Sequence, residues 1–310
     1  MKVSELRHSL LCSGLLLLAA CTSPDPGRDD TPTSGRVLIM ADADCKPVVE
    51  KELLVFSDFY PKAQIHVRYL PEAELLKAML NDSVRCVVAA VEPGGEQQAY
   101  FNKRTISAPV VPIYHSGIAV VVNKDSPVHA LRLDQVARIL GKTDAVEVSS
   151  DAERDLFLDS LTALFTGKGS GVARQLMESL HIAQLRAQAL PDAAAVVAQV
   201  ARGKYLIAFL PFEAISDLDD PAMRDLREQV RMLPIAPSAA AAPVPLNQAT
   251  IADGSYPLHR TVNMVLTEGK SGLGTGFVSF VANIKGQRII LKLGLAPIRV
   301  PARNIQVVHQ

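Results

Sequence analysis

Residues 37–91 read VLIMADADCKPVVEKELLVFSDFYPKAQIHVRYLPEAELLKAMLNDSVRCVVAAV. Val37-Leu38-Ile39-Met40 is a short apolar run of strand length. Pro47 then opens a helix whose apolar positions Val49, Leu53, Phe56 and Tyr60 fall on one face. Ile65 to Leu70 alternates as a strand. Pro71 opens a second helix carrying Leu75, Leu76, Met79 and Leu80, and Val84 to Val91 reads as a buried strand. The order βαβαβ predicts a parallel sheet with helices on its faces.

The pattern continues outward from this core. Ile118 to Val122 is a strand, and Leu133, Val136, Ile139 and Leu140 mark a short helix. Leu161, Ala163 and Phe165 alternate as a strand into Gly167, and Val172, Leu176, Met177 and Leu180 form the apolar face of the next helix. Asp192 caps a helix over Ala193 to Arg202, and Tyr205 to Phe209 is a strand. A second α/β unit therefore fills the middle of the chain. Ala236 to Pro245, rich in Ala and Pro, is expected to be a loop. Thr261 to Leu266 is expected as a strand and Thr275 to Leu293 as one long helix stopped by Gly294. No internal repeat is visible.

The first twenty residues read as an address. Lys2 and Arg7 precede a mostly apolar run from Leu10 to Ala20, too short to span a bilayer but of secretory-signal length. The run ends Leu18-Ala19-Ala20-Cys21, which resembles the lipobox of bacterial lipoproteins, with Cys21 as the lipidated residue; the other reading is a plain signal peptide with an incidental cysteine. Thr22 to Gly35, TSPDPGRDDTPTSG, has the composition of a flexible tether. Thr22 is not the Asp of the inner-membrane retention rule, so an outer-membrane or surface position is expected within the bacterial envelope.

Composition narrows the function. The 310 residues carry 32 basic and 32 acidic side chains, so the neutral chain has no electrostatic grip on a polyphosphate and nucleic acid is disfavoured. The length suits two domains or one two-lobed unit. Trp is absent, which argues against sites built on Trp platforms. Cys12 leaves with the signal, and Cys45 and Cys86 lack metal-ligand spacing. An oxidising compartment would permit them to pair, whereas their strand contexts favour two separate thiols. The seven His residues are scattered, so no metal or cofactor is implied.

Several segments resemble the phosphate-type substrate-binding proteins of ABC transporters, in their lipoprotein branch. Asp42-Ala43-Asp44-Cys45-Lys46-Pro47 is similar to the family's opening strand-to-helix turn, and Tyr69 to Glu74 and Leu80 to Arg85 to its next turns. Ile118 to Pro127, IAVVVNKDSP, is similar to the family's AVALIVNKDNP. The closest stretches are Tyr256 to Arg260, Ser271 to Phe280, and Lys285 to Ile290. The resemblance implies an α/β, two-lobed type II periplasmic-binding-protein fold, joined by crossing strands. It places lobe one at 36–116 with 258–310 and lobe two at 117–257.

The best anion site in the residues themselves is Gly167-Lys168-Gly169-Ser170-Gly171-Val172-Ala173-Arg174, between a strand and a helix. Free N–H groups and the positive end of the helix dipole favour an anion there. Gly169, Gly171 and Val172 would bring backbone donors, Ser170 a hydroxyl and Arg174 a bidentate cation. The resemblance matches Ser170 and Arg174 to the family's ligand segment; the plainer reading is a Ser N-cap and a surface Arg. Asp42 and Asp44, at the end of the first strand, would form the opposing wall or simply cap the turn. Asp44 stands where the family has a small hydroxyl residue, Ala90 and Val91 where it has a hydroxyl and an Arg, and His115 and Ser116 where it has an acidic turn. Gly272-Leu273-Gly274-Thr275-Gly276 lacks dinucleotide-loop spacing, and Ser170 lacks a hydrolase elbow, so no enzyme is expected. The expected function is capture of a small oxyanion, phosphate first, for an ABC permease or a sensor by hinge closure. The alternative is a degenerate cleft in an envelope scaffold lipoprotein.

Overall fold

The computed structural model describes residues 30–80, 84–141 and 152–300, without the side chains of 152–155. The expected signal peptide, the expected lipobox at Cys21, the expected tether up to residue 29, residues 81–83 and the last ten residues lie outside the described residues. Strand β1 spans Gly35–Asp42, α1 Lys46–Phe59, β2 Ala63–Leu70, α2 Glu72–Ala78, β3 Cys86–Ala89 and α3 Gly95–Lys103. Then come β4 Val110–Asn123, β5 Leu131–Arg132, α4 Leu133–Gly141, α5 Ala152–Ser160 and β6 Thr162–Thr166. α6 Gly171–Ser179, β7 Ala187–Leu190, α7 Ala193–Arg202, β8 Leu206–Pro211 and α8 Pro221–Gln229 follow. The chain ends in β9 Val230–Met232, β10 Ile235–Ala236, α9 Gln248–Ala252, β11 His259–Leu266, α10 Leu273–Ala282, α11 Ile284–Lys292 and β12 Ala296–Pro297.

One sheet runs through both lobes in the order β2-β1-β3-β11-β4-β8-β6-β7. β1 pairs in parallel with β2 and β3, as βαβαβ dictates. In the other lobe β6 pairs in parallel with β7 and β8. β4 joins the two. Its first half, up to Gly117, pairs antiparallel with β11, and its second half, from Ile118, pairs antiparallel with β8. An added Cβ at Gly117 would come 2.6 Å from a Leu246 methyl group and 3.2 Å from the buried Tyr256 ring, so the crossing point is closely packed. Beside it the buried Tyr256 hydroxyl donates to the Ile118 carbonyl at 2.7 Å. Continuous apolar runs such as Ile118 to Val122 are buried on both faces, which is what a helix-covered sheet demands.

Three local expectations change. The expected helix Thr275–Leu293 is two helices broken at Asn283, whose backbone is extended and whose side chain accepts the Ile284 N–H at 2.7 Å. Gly286 lies against the turn before the break, since a Cβ there would be 2.4 Å from the Val281 carbonyl oxygen. Helix α3 was not anticipated, because its sequence GEQQAYFNK is polar and only Phe101 is buried. The tether ends earlier than expected, for residues 30–34 already turn and pack on the body. Cys45 and Cys86 are both buried and unpaired. No helix among the described residues is long and apolar enough to cross a membrane.

Candidate solute-binding cleft

The carboxyl ends of the parallel strands of both lobes converge on one cleft of about 320 Å³. Asp42 ends β1, Pro71 follows β2, Thr166 ends β6, Pro191 follows β7 and Pro211 ends β8, and all five line it. This is where open α/β sheets place ligands, because helix N-termini and loop amides point there. The prolines and neighbouring alanines give apolar walls, and Asp44, Thr166 and Ser170 supply polar groups.

The expected residues Asp42, Asp44, Gly169, Ser170, Gly171 and Val172 are brought together. Asp42 ends its strand and accepts the Asp44 N–H at 3.2 Å, which turns the chain into a single helical turn over Ala43–Cys45. That turn aims Asp44 across the cleft. Its Oδ2 accepts the Ser170 hydroxyl at 3.2 Å and its Oδ1 the Thr166 hydroxyl at 3.3 Å. Ser170 also N-caps α6 by accepting the Val172 N–H at 3.2 Å. Gly169 has φ +79°, and its carbonyl accepts the Ala73 N–H at 3.4 Å from the other lobe. At Gly171 an added Cβ would sit 2.7 Å from Glu72 Oε2 and 2.8 Å from Asp42 Oδ2. Glycine therefore lets two carboxylates close on the first residue of α6, where unpaired N–H groups and the dipole favour negative charge.

Arg174 is directed elsewhere. Its guanidinium pairs with Glu72 and Glu178 and donates to the Ala90 carbonyl at 3.1 Å. Glu72 is buried, so this ion pair is the arginine's principal commitment, and meeting a ligand would require its release.

Beneath Asp44 lies a buried network that the sequence reading missed. Arg260 Nη2 donates to Glu213 Oε1 at 2.9 Å, and the Tyr114 hydroxyl donates to the same oxygen at 3.2 Å. Arg260 Nη1 lies 3.8 Å from Asp44 Oδ2, an ion contact beyond hydrogen-bond reach. The available signal was Arg260 itself, a charge directly ahead of the expected strand Thr261 to Leu266. Burial first, then the neighbouring Asp44 charge, push the Asp42 carboxyl well above the usual range, against the pull of Arg260. Burial also raises Asp44, opposed mainly by Arg260. Asp42 Oδ2 has no hydrogen-bond partner. His115 shares a 2.9 Å hydrogen bond with Thr261. Among the described residues no three His, Cys, Asp or Glu side chains are grouped to hold a metal ion.

The cleft thus has the parts of an anion site, namely a capped helix N-terminus and two hydroxyls, and the Asp44 carboxylate takes both hydroxyls. Two unit charges ~4 Å apart at an effective dielectric constant of ~20 repel by about 4 kcal/mol. An ionised solute at Ser170 and Thr166 would meet that repulsion unless Asp44 were protonated or withdrawn.

Comparison with known proteins agrees with this architecture. Among solved structures, the chain is similar to a candidate phosphate ABC transporter substrate-binding protein of Clostridium perfringens with phosphate bound, at 18% identity and TM-score 0.66, over 86% of this chain and 100% of that one. It is similar to an ABC-type phosphate transport receptor of Vibrio cholerae at 11% identity and TM-score 0.62, over 85% and 100%. It is also similar to a Corynebacterium glutamicum OxyR mutant at 14% identity and TM-score 0.53, over 93% and 73%. At these identities the likeness is one of fold, the two-lobed type II periplasmic-binding-protein fold. No curated protein sequence matches the chain. The family model of the PBP superfamily domain matches residues 26–283, and the chain belongs to that family.

Proposed function

We propose that the protein is a solute-binding protein of the ABC-importer kind, held in the bacterial envelope by a lipid on Cys21. Its lobes, 36–116 with 258–310 and 117–257, close by a hinge on a small solute without covalent chemistry. The observation that carries the reading is the cleft itself, with strand ends from both lobes meeting at the N-terminus of α6. The relatives of known structure that bind phosphate support an oxyanion as the solute, phosphate first. Asp44 then acts as a resident competitor: the oxyanion must take the hydroxyls of Ser170 and Thr166 from it. Ser170 and the backbone at Gly169 to Val172 would hold the solute, with Asp42 and Asp44 as the opposite wall. Arg174 joins only if Glu72 releases it.

One observation favours a second reading. Asp44 to Ser170 and Glu72 to Arg174 bridge the lobes with no solute needed, so the cleft can stay shut in an envelope scaffold. Isothermal titration of the unlipidated mature chain with phosphate, sulfate, molybdate and tungstate separates the two. Saturable heat from any of them supports capture, and silence from all supports the scaffold. Fatty-acid labelling that disappears in Cys21→Ser tests the anchor.

A further inference from the structure

A short run of chain ahead of β1 is docked on the body. The Asp30 carboxylate accepts the Leu273 N–H at 2.8 Å, on the first turn of α10. Thr31 and Ser34 exchange backbone hydrogen bonds of 3.0 and 3.4 Å, and their hydroxyls meet at 2.7 Å. A Cβ at Gly272 would lie 2.5 Å from the Asp30 carboxylate, and one at Gly276 would lie 1.8 Å from the Pro32 carbonyl oxygen. Two glycines of the Gly272-Leu273-Gly274-Thr275-Gly276 run therefore make room for the incoming chain, which accounts for a motif that superficially suggested a nucleotide loop. Glu268 takes the next two N–H groups, of Gly274 and Thr275, at 3.1 and 3.0 Å. The first turn of α10 is thus shared by two carboxylates, one of them from the tether.

The docked run and the cleft lie at opposite ends of β1. Gly35 begins the strand and Asp42 ends it, 8 residues at about 3.3 Å each, or roughly 25 Å apart. β11 runs antiparallel to β3, and the Thr267 N–H reaches the Arg85 carbonyl, so the chain from Thr267 onward leads to the Gly35 end. Two exposed lysines mark that end, Lys270 beside Gly272 and Lys62, whose carbonyl accepts the Gly35 N–H at 3.2 Å.

We infer that the docked run, Asp30 to Ser34, orients the body on the bilayer, with the Lys62 and Lys270 end against the membrane surface and the cleft pointing away. This rests on the lipid at Cys21. Only eight residues lie between Cys21 and Asp30, nine Cα-to-Cα steps with a reach of about 30 Å at full extension. Exposed lysines suit an anionic headgroup layer. A partner that reads the cleft then stands on the side away from the anchoring bilayer, unless Asp30 to Ser34 undock.

The absence of Trp makes the test direct. A single Trp is placed at the anchor end, Gly269→Trp, where a side chain meets open space and both lysines are kept, or at the cleft rim, Lys168→Trp. A lipid is coupled chemically to Cys21 of the mature chain, where Cys45 and Cys86 are buried. The protein is mounted on phosphatidylethanolamine and phosphatidylglycerol vesicles with a dansyl headgroup acceptor. Energy transfer is expected to be several-fold more efficient from position 269 than from 168. Gly276→Ala, which pushes out Pro32, and Asp30→Ala, which removes the helix contact, should each bring the two positions toward parity. Equal transfer in the unaltered background, or a preference that survives both substitutions, would overturn the inference. Chemical coupling keeps the outcome independent of whether cells lipidate Cys21, which the labelling experiment reads by itself.

Discussion

The Ser170 hydroxyl donates to the Asp44 carboxylate at 3.2 Å across 126 residues of sequence, from the N-cap of a helix in one lobe to the first turn of the other. The same carboxylate takes the Thr166 hydroxyl and faces Arg260. A ligand-like anion is therefore built into the chain at the N-cap of α6, between the two lobes.

Arg260 should be indispensable to the fold. It is buried with Glu213, Tyr114 and Asp44 around it. Arg260→Ala leaves Glu213 buried beside other carboxyls, a change that costs about 3–5 kcal/mol. Urea unfolding should show the loss as a lowered midpoint, and an unchanged midpoint would contradict the network.

Arg174→Ala should also lower stability, by about 2–3 kcal/mol, because Glu72 would remain buried without its cation. Glu72→Gln in the same chain should restore part of the loss. Thermal unfolding of the single and double variants reads this, and strict additivity would deny the pairing.

Glu52 makes stability depend on pH. It sits on α1, almost fully buried, with neither carboxylate oxygen partnered. Burial raises its pKa from 4.5 to about 8. The folded state thus prefers the protonated acid, so the stability held at acid pH falls as pH rises from about 4.5 through about 8. Glu52→Gln, which copies the neutral acid, should be more stable than wild type at pH above this window, by roughly 5 kcal/mol, and equal to it at the acid end. Parallel pH profiles for the two proteins would count against this.

Gly286→Ala should destabilise the junction of α10 and α11, despite the better helix propensity of alanine. The new methyl group would press on the Val281 carbonyl at 2.4 Å and the Phe280 carbonyl at 2.7 Å. A cost of about 1–3 kcal/mol is expected for such overpacking. A rise in the unfolding midpoint would mean that the two helices are free to part.

The features that could be read from sequence are those set by neighbours in the chain. Val37 to Met40 announces a buried strand, and Asp192 caps its helix by accepting the Ala195 N–H at 2.8 Å. Ser170 caps α6, and Gly294, at φ +77°, marks where the last helix stops. The meeting of Asp42, Asp44 and Ser170 followed from strand ends and the family resemblance together. What stayed hidden depends on side-chain meetings between distant segments. Nothing local says that Arg174 will turn to Glu72, 102 residues earlier, or that Tyr114, Glu213 and Arg260 share one buried site. Asn283 was hidden for a different reason. The apolar positions around it continue with helical spacing, and only its backbone, with its side chain capping the next helix, breaks the run.

In the proposed site Asp44 holds the place of the anion at Ser170 and Thr166. Titration calorimetry with phosphate on wild type and on Asp44→Ser tests it most directly, since serine removes the charge and leaves a small hydroxyl in its place. Asp44→Ser is expected to bind phosphate at least about tenfold more tightly than wild type, a gain of about 1.4 kcal/mol. Equal or weaker binding by Asp44→Ser would contradict it.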